Sequence, residues 1–427
     1  MEVAYGKRNY WQMKFRKFRY LIFKILYKMS AAVTPRPEKV SKILIKTGSN
    51  DFLELADLMN RVCWGIPAGR LGTDDLIVDV LVSKELLNTR LSEYGVPKNQ
   101  RYYLEDNPNF NLISDLRNDW AEHYDIIMQG KFSLKEVFEN MSEACRFVVI
   151  DKDFYSTIES DVWKEFFFSC FTSSEAEQMD EDSKQIFKKL EQKFKGREKA
   201  YCFATGPSFD QYENYQFEED AVKVICNSTV KNKDFLNYIG KPDVLVFADP
   251  VFHFGPSEYS AEFRDYVLET MEAYPDLMVC VPRKAKPLLL AHYPILKGRL
   301  VGIDVCSEYH FPTSENLSVK GSSNILTLYM LPIASSFAEK IYLVGADGRE
   351  KGENYFWKHS KTAQLGNQMN SAFSVHPSFF RDRDYVDYYD EHCQFLEDLI
   401  VFGEGQNQKK YFSLTKSFIP SLSKRQK

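Results

Sequence analysis

The 427 residues leave room for two or three ordinary domains, and an apolar fraction of 44% argues against a disordered chain. The formal net charge is −5, yet residues 1–30 carry eight Lys/Arg against one Glu, so that arm stands at +7 and the remainder near −12. No basic patch recurs in the rest of the chain, which excludes a nucleic-acid-binding body and predicts a basic arm seeking an anionic surface. The eight cysteines are scattered without a C-x-x-C pair, which excludes a clustered zinc site and a secreted disulfide scaffold and predicts a reduced, cytoplasmic protein.

The first predicted element is a helix over residues 10–28. Trp11, Phe15, Phe18, Ile22 and Ile25 recur at spacings of four and three, while Lys14, Lys17, Lys24 and Lys28 take another face. Lys24 and Lys28 interrupt its longest apolar stretch, so it is neither a signal peptide nor a membrane span. Two placements follow: in the headgroup region of an anionic leaflet, peripheral at the inner face of the cell membrane, or docked on the body of the protein or on a partner subunit. Pro35 and Pro37 close this arm, residues 1–35.

A smaller α/β domain is expected over 36–171. KILIKT, LIVDVLV, DIIMQ and CRFVVID read as strands, and LELADLMNRV, SKELLNTRLSEYG and SLKEVFENM as helices. It carries no recognisable phosphate loop, which suits an accessory role in shaping a cleft or binding an acceptor or partner. Residues 172–198 read as a helical connector, with Ser174 and Glu177 as a capping box. From 199 to 427 seven short runs follow: AYCFAT, VKVICN, DVLVFAD, LMVCVP, RLVGIDV, KIYLVGAD and YFSLT. Runs apolar throughout are strands covered on both faces, so the fold class is α/β with a doubly wound, Rossmann-like C-terminal domain.

Ligands of such sheets bind beyond the C-terminal strand ends, and four of these ends are polar. The first runs into Thr205-Gly206-Pro207-Ser208, where glycine lets the backbone approach a phosphate. The loop is neither a Walker motif nor G-x-G-x-x-G, which disfavours a P-loop kinase and a dehydrogenase. The others end at Asn227-Ser228, Asp249-Pro250 and Gly345-Ala346-Asp347-Gly348.

In order along the chain, ATGPSF, VICNS, KPDVLVFADP, GSSNILTLYM and KIYLVGADGREKGENY resemble a superfamily of transferases. It contains the metal-independent sialyltransferases of glycosyltransferase family 42, the motility-accessory flagellin glycosyltransferases and the MptE-like pterin diphosphokinases. The resemblance spans roughly residues 199–420. It implies that Gly206, Pro207 and Ser208 face the phosphate and ribose of a CMP-sugar, and that Asn227 faces the nucleotide phosphate. It further implies that Ser322 and Ser323 offer helix N-terminal donors to the donor carboxylate, and that Asp347 lies near the base or ribose. Tyr355 would steady the leaving phosphate, with Arg349 where the sialyltransferases carry a second tyrosine. Asp249 replaces an asparagine of that family and is closer to the flagellin and pterin branches. His376, just before the final helix, falls where the sialyltransferases keep their base; His359 is the next candidate.

These likenesses imply an inverting glycosyltransferase, needing neither metal nor other cofactor. It would move a sialic-acid-like sugar from a nucleotide-sugar donor to a glycan or glycoprotein acceptor of the bacterial surface. The alternatives are a magnesium- and ATP-dependent diphosphokinase, with Asp249 and Asp347 as metal ligands, and a non-catalytic scaffold in polysaccharide assembly.

Overall fold

Short, β-branched apolar runs separated by helices leave the chain few options other than parallel sheets with helices on both faces. The computed structural model describes residues 10–34, 40–67, 76–88, 110–154, 159–349, 359–382 and 385–427. It divides into two compact units. The first comprises Met1–Ala176, Pro250–Ala261 and Gln368–Arg383; the second comprises Glu177–Asp249, Glu262–Asn367 and Asp384–Lys427. Two segments from the second half of the sequence thus belong with the first unit.

The sheet of the first unit contains β1 (Lys42–Lys46), β2 (Ile77–Leu81), β3 (Phe110–Ile113), β4 (Ile126–Gln129) and β5 (Phe147–Val149). They are parallel, in the order β3-β2-β1-β4-β5. Ile43, Ile45, Val78, Val80, Ile126 and Met128 pack on Leu55, Leu58 and Val62 of α2 (Phe52–Gly65). On the opposite face Leu44, Ile127, Phe147 and Val149 meet Phe23 and Leu26 of α1 (Tyr10–Val33) and Val137 of α3 (Leu134–Glu139). The arm is therefore a helix docked by one side on the first unit. Strand β3 has no counterpart in the sequence reading. Of the helix expected over SKELLNTRLSEYG, a 3₁₀ turn at Lys84–Leu86 is present, and residues 89–95 lie outside the described residues.

Helix α4 (Glu159–Ser169) buries Trp163 against the first sheet, and α5 (Ser173–Lys193) follows. The capping box of α5 is Thr172–Glu175, not Ser174–Glu177. The Thr172 amide donates to Glu175 Oε2 at 2.8 Å, and the Glu175 amide donates back to Thr172 Oγ1 at 3.3 Å. The four-residue pattern holds two residues earlier because the helix starts where its first turn can be satisfied reciprocally.

The second unit carries β6 (Lys199–Phe203), β7 (Val222–Cys226), β8 (Val244–Val246), β9 (Met278–Pro282), β10 (Leu300–Cys306), β11 (Ser318–Lys320), β12 (Lys340–Val344) and β13 (Lys410–Ser413). All eight are parallel, ordered β11-β10-β9-β8-β7-β6-β12-β13. The seven runs read from sequence are seven of these strands. The three-residue edge strand β11 escapes because Ser318-Val319-Lys320 has one apolar residue. Ile186, Phe187 and Leu190 of α5 cover one face together with Leu331, Ile333 and Leu399. On the other face Phe203 meets Phe235 edge-on at 5.0 Å, and Tyr201 lies 5.4 Å from Tyr342.

Strand order reverses between β6 and β12, because β6 leads outward to β7 on one side while β12 leads to β13 on the other. That reversal opens a crevice at the carboxyl ends of these two strands. Gly345 holds the chain there at φ +76°, and a methyl group on it would strike the Ala204 carbonyl and lie 2.9 Å from Phe209 Cβ. Gly345→Ala adds backbone strain of about 1–3 kcal/mol to that clash. The expected outcome is a melting temperature lower by roughly 3–10 °C, read by calorimetry.

Candidate functional site

The site grows from the crevice between β6 and β12. The ladder between these strands continues one step past their ends, where the Gly206 amide donates to the Gly345 carbonyl at 2.8 Å. A side chain at Gly206 would fall into the Asp347 carboxylate and that same carbonyl, so only glycine permits this approach. Pro207 then opens a short 3₁₀ helix, Pro207–Asn214, with its missing N–H at a position that needs none. The Ser208 amide donates to both oxygens of Asp347 at 3.1 and 3.2 Å, and the Ser208 hydroxyl donates to Oδ2 at 2.9 Å. The loop read as a phosphate cradle is thus closed by the protein's own carboxylate. Burial pushes the Asp347 carboxyl above its ordinary value, against the opposing pull of the Ser208 hydrogen bonds.

One strand over, Asn227 follows β7 with φ +46°, a left-handed conformation that costs a non-glycine residue energy. Its side-chain oxygen is buried and has no hydrogen-bond partner among the described residues. An orphaned acceptor on a strained residue at a strand end is the strongest single pointer to a ligand at this site. Asp249 lies past β8, two strands from β6. The order β8-β7-β6-β12 places the strands that precede Asp249 and Asp347 three spacings apart, about 14 Å. Among the described residues no group of three His, Cys, Asp or Glu side chains is arranged to hold a metal.

Arg349 leaves the β12 loop with its guanidinium 4.4 Å from the centre of the Tyr389 ring, and its amide donates to the Tyr389 hydroxyl at 3.1 Å. Stacking fixes the guanidinium plane. Tyr355 lies outside the described residues. Ser322 and Ser323 follow the edge strand β11. The Ser322 hydroxyl is shared with Thr327 Oγ1 at 2.7 Å, and Asn324 Oδ1 caps the turn by accepting from the Leu326 amide at 2.9 Å. Ser323 is exposed, and its carbonyl accepts from the Tyr388 hydroxyl at 2.7 Å. The helix they open begins with a π-helical stretch, Leu326–Met330, a feature frequent at functional sites.

The two histidines fall in different units. His376 sits between helices Met369–Val375 and Pro377–Asp382 in the first unit, 2% exposed. Burial, aided by the charges of Arg61 and Lys152, pushes its pKa down to about 3. His359 is in the second unit, where Nδ1 lies 3.2 Å from Thr205 Oγ1 and 3.3 Å from the Thr205 carbonyl. Burial lowers its pKa as well, so it is neutral near pH 7.

Sequence reasoning missed the strap that carries His359. The Ser360 amide donates to the Thr205 carbonyl at 2.8 Å. Asp210 accepts from the Ser360 hydroxyl at 2.5 Å, the Thr362 hydroxyl at 2.6 Å and the Lys361 amide at 3.0 Å. Burial pushes the Asp210 carboxyl up, but these hydrogen bonds outweigh it and leave it below its ordinary value. Asn232 and Lys231 hold the strap further along, on Thr362 and the Gln364 carbonyl. The residues themselves were visible, an acid two places after Ser208 and an S-x-T triplet able to donate to it, but their pairing over 150 residues had no local signature.

No protein-family model matches the chain, and no curated protein matches it. Among solved structures the chain is similar to the MAf glycosyltransferase from Magnetospirillum magneticum AMB-1, at 12% identity and a TM-score of 0.25. The match covers 84% of this chain, which spans 58% of that protein. A likeness of that extent bears on neither donor nor acceptor.

The lifted pKa of Asp347 has a thermodynamic sign. The folded state holds this proton to higher pH than the unfolded chain does, so stability is lost as pH rises from about 3.8 through the raised value. Asp347→Asn keeps an acceptor for the Ser208 amide and removes the titration. Urea unfolding across that window is expected to show the native protein losing stability relative to the variant as pH rises; parallel curves would deny the shift.

Proposed function

We propose that the second unit binds the nucleotide of an activated donor in the crevice between β6 and β12 and transfers a sugar from it. The sugar is a nonulosonic acid or a similar anionic residue, and the acceptor a surface glycan or glycoprotein. The observation that carries this reading is Asn227, strained and with an unsatisfied buried oxygen, one strand from the Gly206–Ser208 loop. The order of the strand-end motifs, resembling the sialyltransferase and flagellin glycosyltransferase branches, supplies the substrate class.

The reaction is a single displacement. The acceptor oxygen attacks the anomeric carbon, the bond from that carbon to the phosphate oxygen breaks, and the acceptor proton passes to a base. His376 of the first unit and His359 of the second are the candidates for that role, and Thr205 holds His359 at the end of β6. A proton on Nδ1 donated to the Thr205 carbonyl leaves the basic lone pair on Nε2. Arg349, oriented by Tyr389, neutralises charge on the departing phosphate, and Tyr355 joins it. Ser322 and Ser323 receive the donor carboxylate at the helix start.

Thermal unfolding with CMP, CDP, UDP, GDP and ATP, each with magnesium and with chelator, tests the proposal. A nucleotide at 100 times its Kd adds about 2.7 kcal/mol, or roughly 5–10 °C. The expected result is a rise with cytidine nucleotides in chelator, abolished by Asn227→Ala and retained by His359→Ala, whose turnover falls about 10²–10⁴-fold. A rise only with ATP and magnesium would give the chemistry to the diphosphokinase, and no rise at all would give the fold to a scaffold.

A further inference from the structure

Helix α1 uses only part of its circumference to dock. Phe23 and Leu26 are buried against the first unit, the Ser30 hydroxyl donates to the Ser142 carbonyl at 2.5 Å and accepts from the Cys145 amide at 3.1 Å, and Arg19 donates to the Phe132 carbonyl at 3.1 Å. These contacts hold the helix by one side along its second half. At about 100° per residue, Phe15, Phe18, Leu21, Ile25 and Met29 fill a neighbouring arc of about 120°. Each is between 50% and 61% exposed, and Val33 continues the stripe at the C-terminal end. Monomeric soluble proteins seldom leave so long an apolar row on the surface without a use for it.

The charges say what that use is. Lys24 and Lys28 are exposed on the border of the stripe opposite the docked side. The 24 residues of α1 contain six Lys/Arg and no acid, in a chain whose net charge is negative. A symmetric pairing of two copies through the stripe would set both lysine rows together with no carboxylate in either helix to answer them. An anionic leaflet offers acyl chain for the stripe and phosphate for the lysines at the same depth. The helix does not cross the bilayer: among the described residues none is long and apolar enough to do so.

We infer that α1 is an in-plane membrane-binding helix, docked on the first unit and presenting Phe15, Phe18, Leu21, Ile25 and Met29 to the acyl boundary of an anionic lipid surface, with Lys24 and Lys28 at its phosphates. Docking orders the stripe in advance, so adsorption does not have to fold the helix as it would for a free arm. The reading is independent of the chemistry assigned to the second unit.

The test is co-sedimentation of the full chain with vesicles of phosphatidylcholine alone and of phosphatidylcholine with phosphatidylglycerol as roughly one third of the lipid. Binding is expected to the anionic vesicles and to weaken steeply with salt. Phe18→Glu/Ile25→Glu should abolish it, and Lys24→Glu/Lys28→Glu should weaken it at least about tenfold. All four positions are exposed, so unchanged circular dichroism spectra and melting temperatures establish that the variants fold. Equal binding to neutral vesicles would overturn the electrostatic part of the inference. No binding, with a dimer by light scattering that Phe18→Glu/Ile25→Glu dissolves, would make the stripe an interface between copies and overturn it entirely.

Discussion

The second unit depends on one close approach. Strands β6 and β12 lie side by side, their chains then leave in opposite directions across the sheet, and the gap is closed by backbone rather than side chains. Gly206 and Gly345 make that possible, and the Asp347 carboxylate, gripped by the amide and hydroxyl of Ser208, locks it. Several parts of the site are hung from this clasp: Thr205 just before it receives the strap, Arg349 two residues after Asp347 turns toward Tyr389, and Asn227 follows the neighbouring strand β7. Loss of the clasp would therefore disorganise several side chains at once, which is why the glycines matter more than their lack of chemistry suggests.

Much of this architecture was legible in the residues. Strands that are apolar on both faces announce themselves, and seven of the eight strands of the second unit did so because runs such as VKVIC or KIYLV have no competing reading. β3 and β11 did not, since FNLI is short and SVK nearly polar, and edge strands need only one packed face. Polar residues at strand ends pointed to the crevice, and the strand order confirms that Gly206, Ser208 and Asp347 share it. The sequence could not say that Ser208 would be answered by Asp347, because a contact over 139 residues has no local signature. The same holds for His376, whose position before the last long helix gave no hint that Gln368–Arg383 folds with the first unit.

The first unit repeats the logic of the second on a smaller scale. Its order β3-β2-β1-β4-β5 also reverses once, between β1 and β4. There too the chains approach closely: a methyl on Gly130 would lie 2.7 Å from the Thr47 carbonyl, and Lys131 covers Gly48. Its charged groups are paired nearby, with Lys131 on Glu54 and Lys152 on Asp57. On the readings proposed above, the division of labour is placement by the first unit and donor binding by the second.

If the crevice receives a phosphate as proposed, it does so beside the Asp347 carboxylate. Two anions at one seat cannot both stay ionised at close range, so the arriving phosphate favours protonation of the carboxyl. Burial has already lifted that pKa, and the proton is taken up at smaller cost than by an exposed aspartate. Once protonated, the carboxyl would keep one oxygen as acceptor for the Ser208 amide and gain a donor of its own for the phosphate. On this view the clasp and the cradle are the same atoms in two protonation states. The loop would keep its shape when the ligand arrives, because the Ser208 amide keeps its partner. The proposal needs no metal for this exchange, because the charge that would otherwise require one is removed by a proton.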